Sequence, residues 1–214
     1  VGLAFRVRTP AGPLELRSPM LGVFNLDNAL VCIGLALGLG LDLASIAAGL
    51  ASTGGAPGRL EPVGLPAQIE SQAGPHVYVD YAHTPDAVAR SLAALHPATE
   101  ARGGRLIVVL GCGGDRDSSK RPLMGAAAAA AADRLYATSD NPRTEDPEAI
   151  VDQMLTGVEA GTTELVREVD RAAAIAQAIA EADPSDTVLL AGKGHEDYQI
   201  LGTETVPFDD REHA

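Results

Sequence analysis

The chain has 214 residues, 46% hydrophobic and 21% charged, which is enough apolar content for one substantial core or two smaller ones and excludes a disordered chain. Sixteen Lys and Arg against 29 Asp and Glu give a net charge of −13, which speaks against nonspecific binding to nucleic acid or to an anionic membrane. The apolar stretch 29–41 is broken by Gly34, Gly38 and Gly40 and is too short to span a bilayer. Cys32 and Cys112 show neither CxxC nor CxxH spacing, as expected of a reducing, cytoplasmic setting.

In chain order, alternation over residues 1–17 around a turn at 9–13 predicts a β-hairpin, and 25–39 and 42–51 predict two helices, the second capped by Asp42. The breaker Gly54-Gly55-Ala56-Pro57-Gly58 marks a domain boundary. A hairpin and two helices bury little by themselves, and Val1 is no initiator methionine, so the segment before the boundary is expected to be the tail of a larger domain.

Beyond Arg59, strands are predicted at 67–71, 77–80, 106–111, 135–138, 164–169 and 187–191. Helices are predicted between them at 85–95, 122–132, 147–159 and 171–181, three opening on Pro85, Pro122 and Pro147, with Thr84 and Asp146 as N-caps. Strand and helix in alternation imply an α/β fold: a doubly wound, mainly parallel, Rossmann-like sheet. The alanine run 126–132 fits a helix packed closely on that sheet.

Four apolar runs each end in a compact polar motif: DYAHTPD from Asp80, GCGGDRD from Gly111, TSDNPR from Thr138 and GKGHED from Gly192. If those runs are neighbouring parallel strands, the motifs line one cleft at the carboxyl edge, where open α/β sheets bind ligands. Five of the sixteen basic residues lie there: Arg116, Lys120, Arg121, Arg143 and Lys193. The glycine-rich exit 111–114 suits an anion but is no dinucleotide fingerprint, because Arg116 stands where GxGxxG needs glycine. The P-loop pattern GxxxxGK[ST] occurs nowhere in the chain. Arg116 offers a planar fork to a carboxylate or phosphate, and Arg143 with Glu196 supplies one cation and one anion for a zwitterionic amino-acid centre. Cys112 has no histidine beside it in sequence to activate it, and His83, His195 and Glu196 lack metal-ligand spacing, so neither a nucleophile nor a metal site is assigned.

DYAHTPD, GCGGDRD with KRPLMG, DNPRTEDP and AGKGHEDYQI, in this order and spacing, resemble the C-terminal domain of Mur ligases of the UDP-N-acetylmuramoyl-tripeptide synthetase (MurE) type, and GVFNLDNAL and GRLE resemble the end of that family's central ATPase domain and its hinge. The resemblance implies residues 1–58 as ATPase-domain tail and hinge, and 59–214 as the Rossmann-like amino-acid-binding domain. It implies an ATP-dependent, Mg2+-assisted ligation in which the carboxylate of UDP-MurNAc-L-Ala-D-Glu is phosphorylated and the amine of a diamino acid attacks the acyl phosphate. The implied substrate-binding residues are Arg116, Asp140, Asn141, Pro142, Arg143, Gly192 and Glu196. The implied nucleotide contacts are Asn28, Arg59, Asp80, His83 and Thr84. DNPR is the form found in enzymes that add meso-diaminopimelate, whose extra carboxylate Arg143 would pair with; lysine-adding relatives lack this arginine. The family's P-loop, UDP-binding domain and magnesium ligands are missing from this sequence, so the chain is expected to be part of a longer enzyme that carries most of the ATP and Mg2+ contacts, with no catalytic residue of its own. The competing expectations are a noncatalytic amino-acid-binding module or a relative adding lysine.

Overall fold

The structure, a computed structural model, describes residues 2–64 and 74–214. The chain divides into two compact units, Val1–Ala56 and Pro57–Ala214.

In the first unit, β1 (Leu3–Thr9) and β2 (Gly12–Ser18) form the antiparallel hairpin, followed by α1 (Phe24–Gly38) and α2 (Leu43–Ser52). Alternation turns one face of the hairpin inward, and Leu14 and Leu16 bury against Ala29 and Ile33 of α1 and Ile46 and Leu50 of α2. Asp42 caps α2 by accepting from the Ser45 N–H at 2.8 Å. Val31 and Leu35 of α1 and its C-cap residue Leu39 are exposed.

The second unit runs β3 (Glu61–Pro62), β4 (His76–Asp80), α3 (Pro85–Ala101), β5 (Leu106–Cys112), α4 (Lys120–Ala131), β6 (Arg134–Ser139), α5 (Pro147–Leu155), β7 (Glu164–Arg167), α6 (Arg171–Ala180), β8 (Thr187–Ala191), β9 (Tyr198–Leu201), β10 (Glu204–Pro207) and α7 (Asp210–His213). Its sheet has the order β3-β4-β8-β5-β6-β7, parallel except for β3. The unbroken apolar runs of β5 and β8 make them the central, fully buried strands. Ile107 and Val109 cluster with Val188, Leu190 and the α6 residues Ala174, Ile175 and Ala178, and the two-residue period of β5 turns Leu106, Val108 and Leu110 to the opposite face.

Among the described residues, the expected mainly parallel α/β sheet is present. The four strands carrying the polar motifs are contiguous: Asp80 pairs with Ala191, Leu110 with Ala191 and Cys112 with Ser139, so their ends share one edge. Several boundaries differ from expectation. α3 runs on through Pro97 to Ala101 rather than ending at residue 95, because a proline forfeits one hydrogen bond without stopping a well-packed helix. α4 starts at Lys120, which moves Pro122 inside the first turn, where an N–H has no helical partner in any case. β9, β10 and α7 were not anticipated, since four-residue strands carry too little periodicity to be read. The strand expected at 67–71 lies outside the described residues.

Arg171 and Asp210 tie α7 to the sheet. Both side chains are fully buried, with Nε donating to Oδ1 at 2.7 Å and Nη2 to Oδ2 at 2.6 Å, while Nη2 also reaches the Ala191 carbonyl at 3.1 Å. Arg171→Ala would strand a buried carboxylate and is expected to cost about 3–5 kcal/mol, and the apolar pair Arg171→Met/Asp210→Leu to recover most of it. Urea unfolding checks this; a loss below about 1 kcal/mol for the single variant would contradict it.

Candidate functional site

At the shared strand edge lies a cavity of about 530 Å³, lined by residues that include Cys112, Gly113, Arg116, Arg121, Asp140, Asn141, Arg143, Gly192 and Glu196. Its floor is where the loop after β5 lies against the loop after β6. A Cβ on Gly114 would overlap the Pro142 carbonyl oxygen, and one on Gly111 would stand 2.7 Å from the Ser139 carbonyl carbon, so only glycine permits this approach. The loops are joined by Gly114 N–H donating to the Asn141 carbonyl at 2.9 Å and by Arg143 Nη1 donating to the Gly114 carbonyl at 2.8 Å.

Among the described residues, three other than glycine have positive φ: Leu60 (44°), Asp115 (52°) and Arg143 (52°). Each is held through its backbone N–H. Leu60 donates to Asp80 Oδ2 at 2.7 Å, Asp115 to Glu145 Oε1 at 2.5 Å, and Arg143 to the Ile200 carbonyl at 3.0 Å. Such left-handed positions in ordinary residues persist only where surrounding bonds over-determine them. At Arg143 the β9 strand does this, with Gly202 N–H donating back to the Arg143 carbonyl at 2.7 Å.

One wall of the cavity is cationic. A Cβ on Gly113 would stand 3.1 Å from Arg143 Nη1 and 3.5 Å from Arg116 Cγ, so the two arginines flank the same glycine. Among the described residues, exposed Arg116 donates only to the Asp115 carbonyl, at 3.1 Å, and the Arg143 side-chain hydrogen bonds all run from Nη1 to carbonyls. Both guanidiniums therefore keep donors for a ligand carboxylate. Arg121 does not: it is buried, forks onto Glu145 at 2.7 and 2.8 Å, and also reaches Gln153 and the Gly113 carbonyl. It is a brace beneath the Gly113 loop, although the sequence placed it in the cleft beside Arg116.

The opposite wall is anionic. Asn141 Nδ2 donates to Glu196 Oε2 at 2.9 Å. Gly192, at φ +114°, lets the backbone pass beside Asp140: a Cβ there would meet Oδ2 at 3.1 Å. Burial pushes the Asp140 carboxyl above its ordinary range, against the pull of Arg171 and Lys193, and Oδ1 has no hydrogen-bond partner among the described residues. Pro142 is buried and sets the turn without being a cavity-lining residue.

Of the second-unit residues expected on the nucleotide side, Arg59, Asp80 and Thr84 do not line the cavity. Asp80 has both carboxylate oxygens engaged, by the Leu60 N–H and by Ser91 Oγ at 3.0 Å, and burial raises its pKa. Thr84 caps α3 through the Ala87 N–H, as expected from sequence, and its hydroxyl is committed there. Arg59 is exposed, with its guanidinium 5.1 Å from the Tyr81 ring centroid, and the Tyr81 ring in turn lies tilted against the His83 ring, centroids 4.5 Å apart. His83 borders the cavity. Asn28 is on α1 of the first unit and donates to Asn25 Oδ1 at 3.0 Å.

Cys112 is buried with its sulfur 3.7 Å from Met124 Sδ and 3.6 Å from Met154 Sδ, and burial pushes its thiol up to about 12, which suits packing and not attack. Sequence reasoning left the Arg121–Glu145 brace, Tyr81 and the fully buried Lys193 without roles. The two glycines flanking Lys193 were the available signal, since they mark backbone crowding at that point.

Residues 58–194 match the Mur ligase, glutamate ligase domain. The chain belongs to the Mur ligase family. It is 54% identical over 213 residues to the UDP-N-acetylmuramoyl-L-alanyl-D-glutamate--2,6-diaminopimelate ligase of Parasynechococcus marenigrum, covering 100% of this chain and 42% of that protein. Identity to the enzyme of the same name from Trichormus variabilis is 52%, over 100% of this chain and 41% of that one. A solved structure of a ligase of this name superposes with a TM-score of 0.70 at 37% identity, covering 98% of this chain and 41% of the other. The chain thus spans well under half the length of the curated relatives it matches.

The Arg121–Glu145 brace makes a pH prediction. Hydrogen bonds from Arg121 and then from the Asp115 N–H hold the Glu145 carboxyl down to about 2, below its ordinary 4.5. A depressed folded-state pKa contributes stability above 4.5 that is lost as pH falls toward about 2. Thermal melts of wild type and Glu145→Gln should therefore differ above pH 4.5 and converge near pH 2. A gap independent of pH over that range would contradict the brace.

Proposed function

We propose that the chain is the acceptor-binding part of an ATP-dependent amide ligase that adds meso-diaminopimelate to UDP-MurNAc-L-Ala-D-Glu during peptidoglycan precursor synthesis. The observation that carries this reading is the bipolar cavity: two arginines with free donors on one side of Gly113, and the Glu196–Asn141 pair with buried Asp140 on the other. A diamino dicarboxylic acid presents carboxylates and ammoniums to match. Arg143 takes the distal carboxylate, Arg116 a second carboxylate and Glu196 an ammonium, with Asp140, Asn141, Pro142 and Gly192 shaping the wall. The names of the relatives above 50% identity support the same substrate.

In this scheme the longer enzyme supplies the phosphate-binding loop and the carboxylates for Mg2+, and its reaction belongs in the cytoplasm with its nucleotide substrates. No group of three His, Cys, Asp or Glu among the described residues is placed to hold a metal, so no Mg2+ ligand is assigned to this chain. Bound ATP supplies the phosphoryl group that activates the acceptor carboxylate. Arg59, His83 and Thr84 in the second unit, and Asn28 in the first, are its proposed contacts. Of these, Arg59 fits best, because its guanidinium is exposed and braced by Tyr81. Asp80, with both oxygens occupied, acts by fixing Leu60 and so the backbone next to Arg59. Residues 1–58 are assigned as the ATPase-domain tail and hinge, and 59–214 as the amino-acid-binding domain.

Arg143→Ala in the full-length enzyme is expected to lower kcat/KM for diaminopimelate by about 100-fold or more, with the KM for ATP nearly unchanged, because the lost partner is a substrate carboxylate. Kinetics within about twofold of wild type would remove Arg143 from the site. Lysine, which lacks that carboxylate, should be rejected by wild type by about 10⁴-fold.

The two sides should also separate. Asp80→Asn is expected chiefly to raise the KM for ATP and Glu196→Gln the KM for the diamino acid. An ATP-specific defect in the Glu196 variant, with the diamino-acid KM unchanged, would reject this partition.

A further inference from the structure

Lys193 lies two residues beyond the end of β8, with no exposed surface. A buried ammonium stays charged only when its hydrogens and its field are matched. Here Nζ donates to the Tyr198 carbonyl and to Asn141 Oδ1 at 3.4 Å, and lies 3.5 Å from Asp140 Oδ1 and 3.7 Å from Glu196 Oε2. The rings of Tyr198 and Phe208 lie 5.6 and 5.9 Å away. One cation thus contacts every polar side chain of the anionic wall while remaining beneath it.

Two consequences follow from this placement. The first concerns the Asn141 amide. Its Oδ1 accepts from the Ile200 N–H at 3.0 Å as well as from Lys193, so the reversed amide would set an NH2 group against two donors. Nδ2 is therefore forced toward Glu196, fixing where that carboxylate sits. The second concerns charge. Burial raises the Asp140 carboxyl while Arg171 and Lys193 oppose that rise; with Asp140 ionised, it and Glu196 contribute two negative charges and Lys193 one positive, and the buried Arg171–Asp210 pair behind them is neutral as a unit. The wall carries a net charge of about −1, which matches one ligand ammonium.

Resting on the reading of the cavity as a diamino-acid site, we infer that Lys193 is its positioning residue. The buried ammonium sets the Asn141 amide and the single net negative charge that receives the substrate's ammonium, without touching substrate.

The test is a charge-balance series in the full-length enzyme: Lys193→Met, Asp140→Asn and the double variant, with KM for diaminopimelate and for ATP measured for each. Lys193→Met leaves two carboxylates and Asp140→Asn leaves a neutral wall. Each single variant should raise the diaminopimelate KM by about 30-fold or more, with the ATP KM within about twofold. The double variant restores a net charge of −1 and should bring the diaminopimelate KM back to within about fivefold of wild type, which loss of packing alone would not do. A Lys193→Met enzyme within about twofold of wild type for diaminopimelate, or a double variant no better than Asp140→Asn, overturns the inference. If Lys193→Met does not fold, comparing Asp140→Asn with the double variant, which buries no unmatched charge, decides alone. An enzyme whose diaminopimelate KM responds to this series but not to Arg143→Ala keeps Lys193 in its role and removes Arg143 from the site, and with it the pairing of the distal carboxylate proposed above. The reverse pattern rejects Lys193 alone.

Discussion

The cavity at the strand edge depends on the contact between two loops that no side chain may enter. Gly111 and Gly114 let the exit of β5 lie on the backbone of Ser139–Pro142, and from that contact the rest is placed. Arg143 reaches across to the Gly114 carbonyl, Asp115 is bonded to Glu145 and Thr144, and Arg121 braces both from below. The left-handed backbone at Asp115 and Arg143 follows from the same packing. Local strain of this kind is tolerated because each strained N–H is bonded to a different segment of the chain.

On this scaffold the protein separates charge by depth. The arginines with free donors, Arg116 and Arg143, face the cavity, while the cations that organise it, Arg121, Arg171 and Lys193, are buried and bonded to other protein groups. Exposed charges next to a ligand can exchange water for substrate at little cost, whereas buried ones determine geometry and cannot easily be replaced. An acidic protein of net charge −13 can in this way present a locally cationic wall to a carboxylate.

Much of the fold was legible because the signals were long or chemically sharp. β5 and β8 read as unbroken apolar runs, Asp42, Thr84 and Asp146 cap their helices, and the four polar motifs followed the four strands that prove contiguous. What stayed hidden was decided by tertiary contact. The four-residue β9 is set by its bonds to Asn141 and Arg143, and α3 continues past Pro97 because its buried face, including Leu92, Leu95 and Thr99, outweighs one lost hydrogen bond. In the candidate site, residue types and loop positions pointed to the cavity-lining Arg116 and Arg143, but nothing in sequence distinguishes a cavity-facing Arg143 from a buried Arg121. That difference lies in partners as remote as Gln153, and the burial of Lys193 is equally invisible.

The central claim is that the cavity holds a diamino dicarboxylic acid in one orientation. A crystal structure of the full-length enzyme with meso-diaminopimelate tests it most directly. The account requires one carboxylate at Arg143 and Arg116 beside Gly113 and an ammonium at Glu196. A ligand bound in the reverse sense, with a carboxylate against Glu196 and Asp140, or bound outside this cavity, would contradict it.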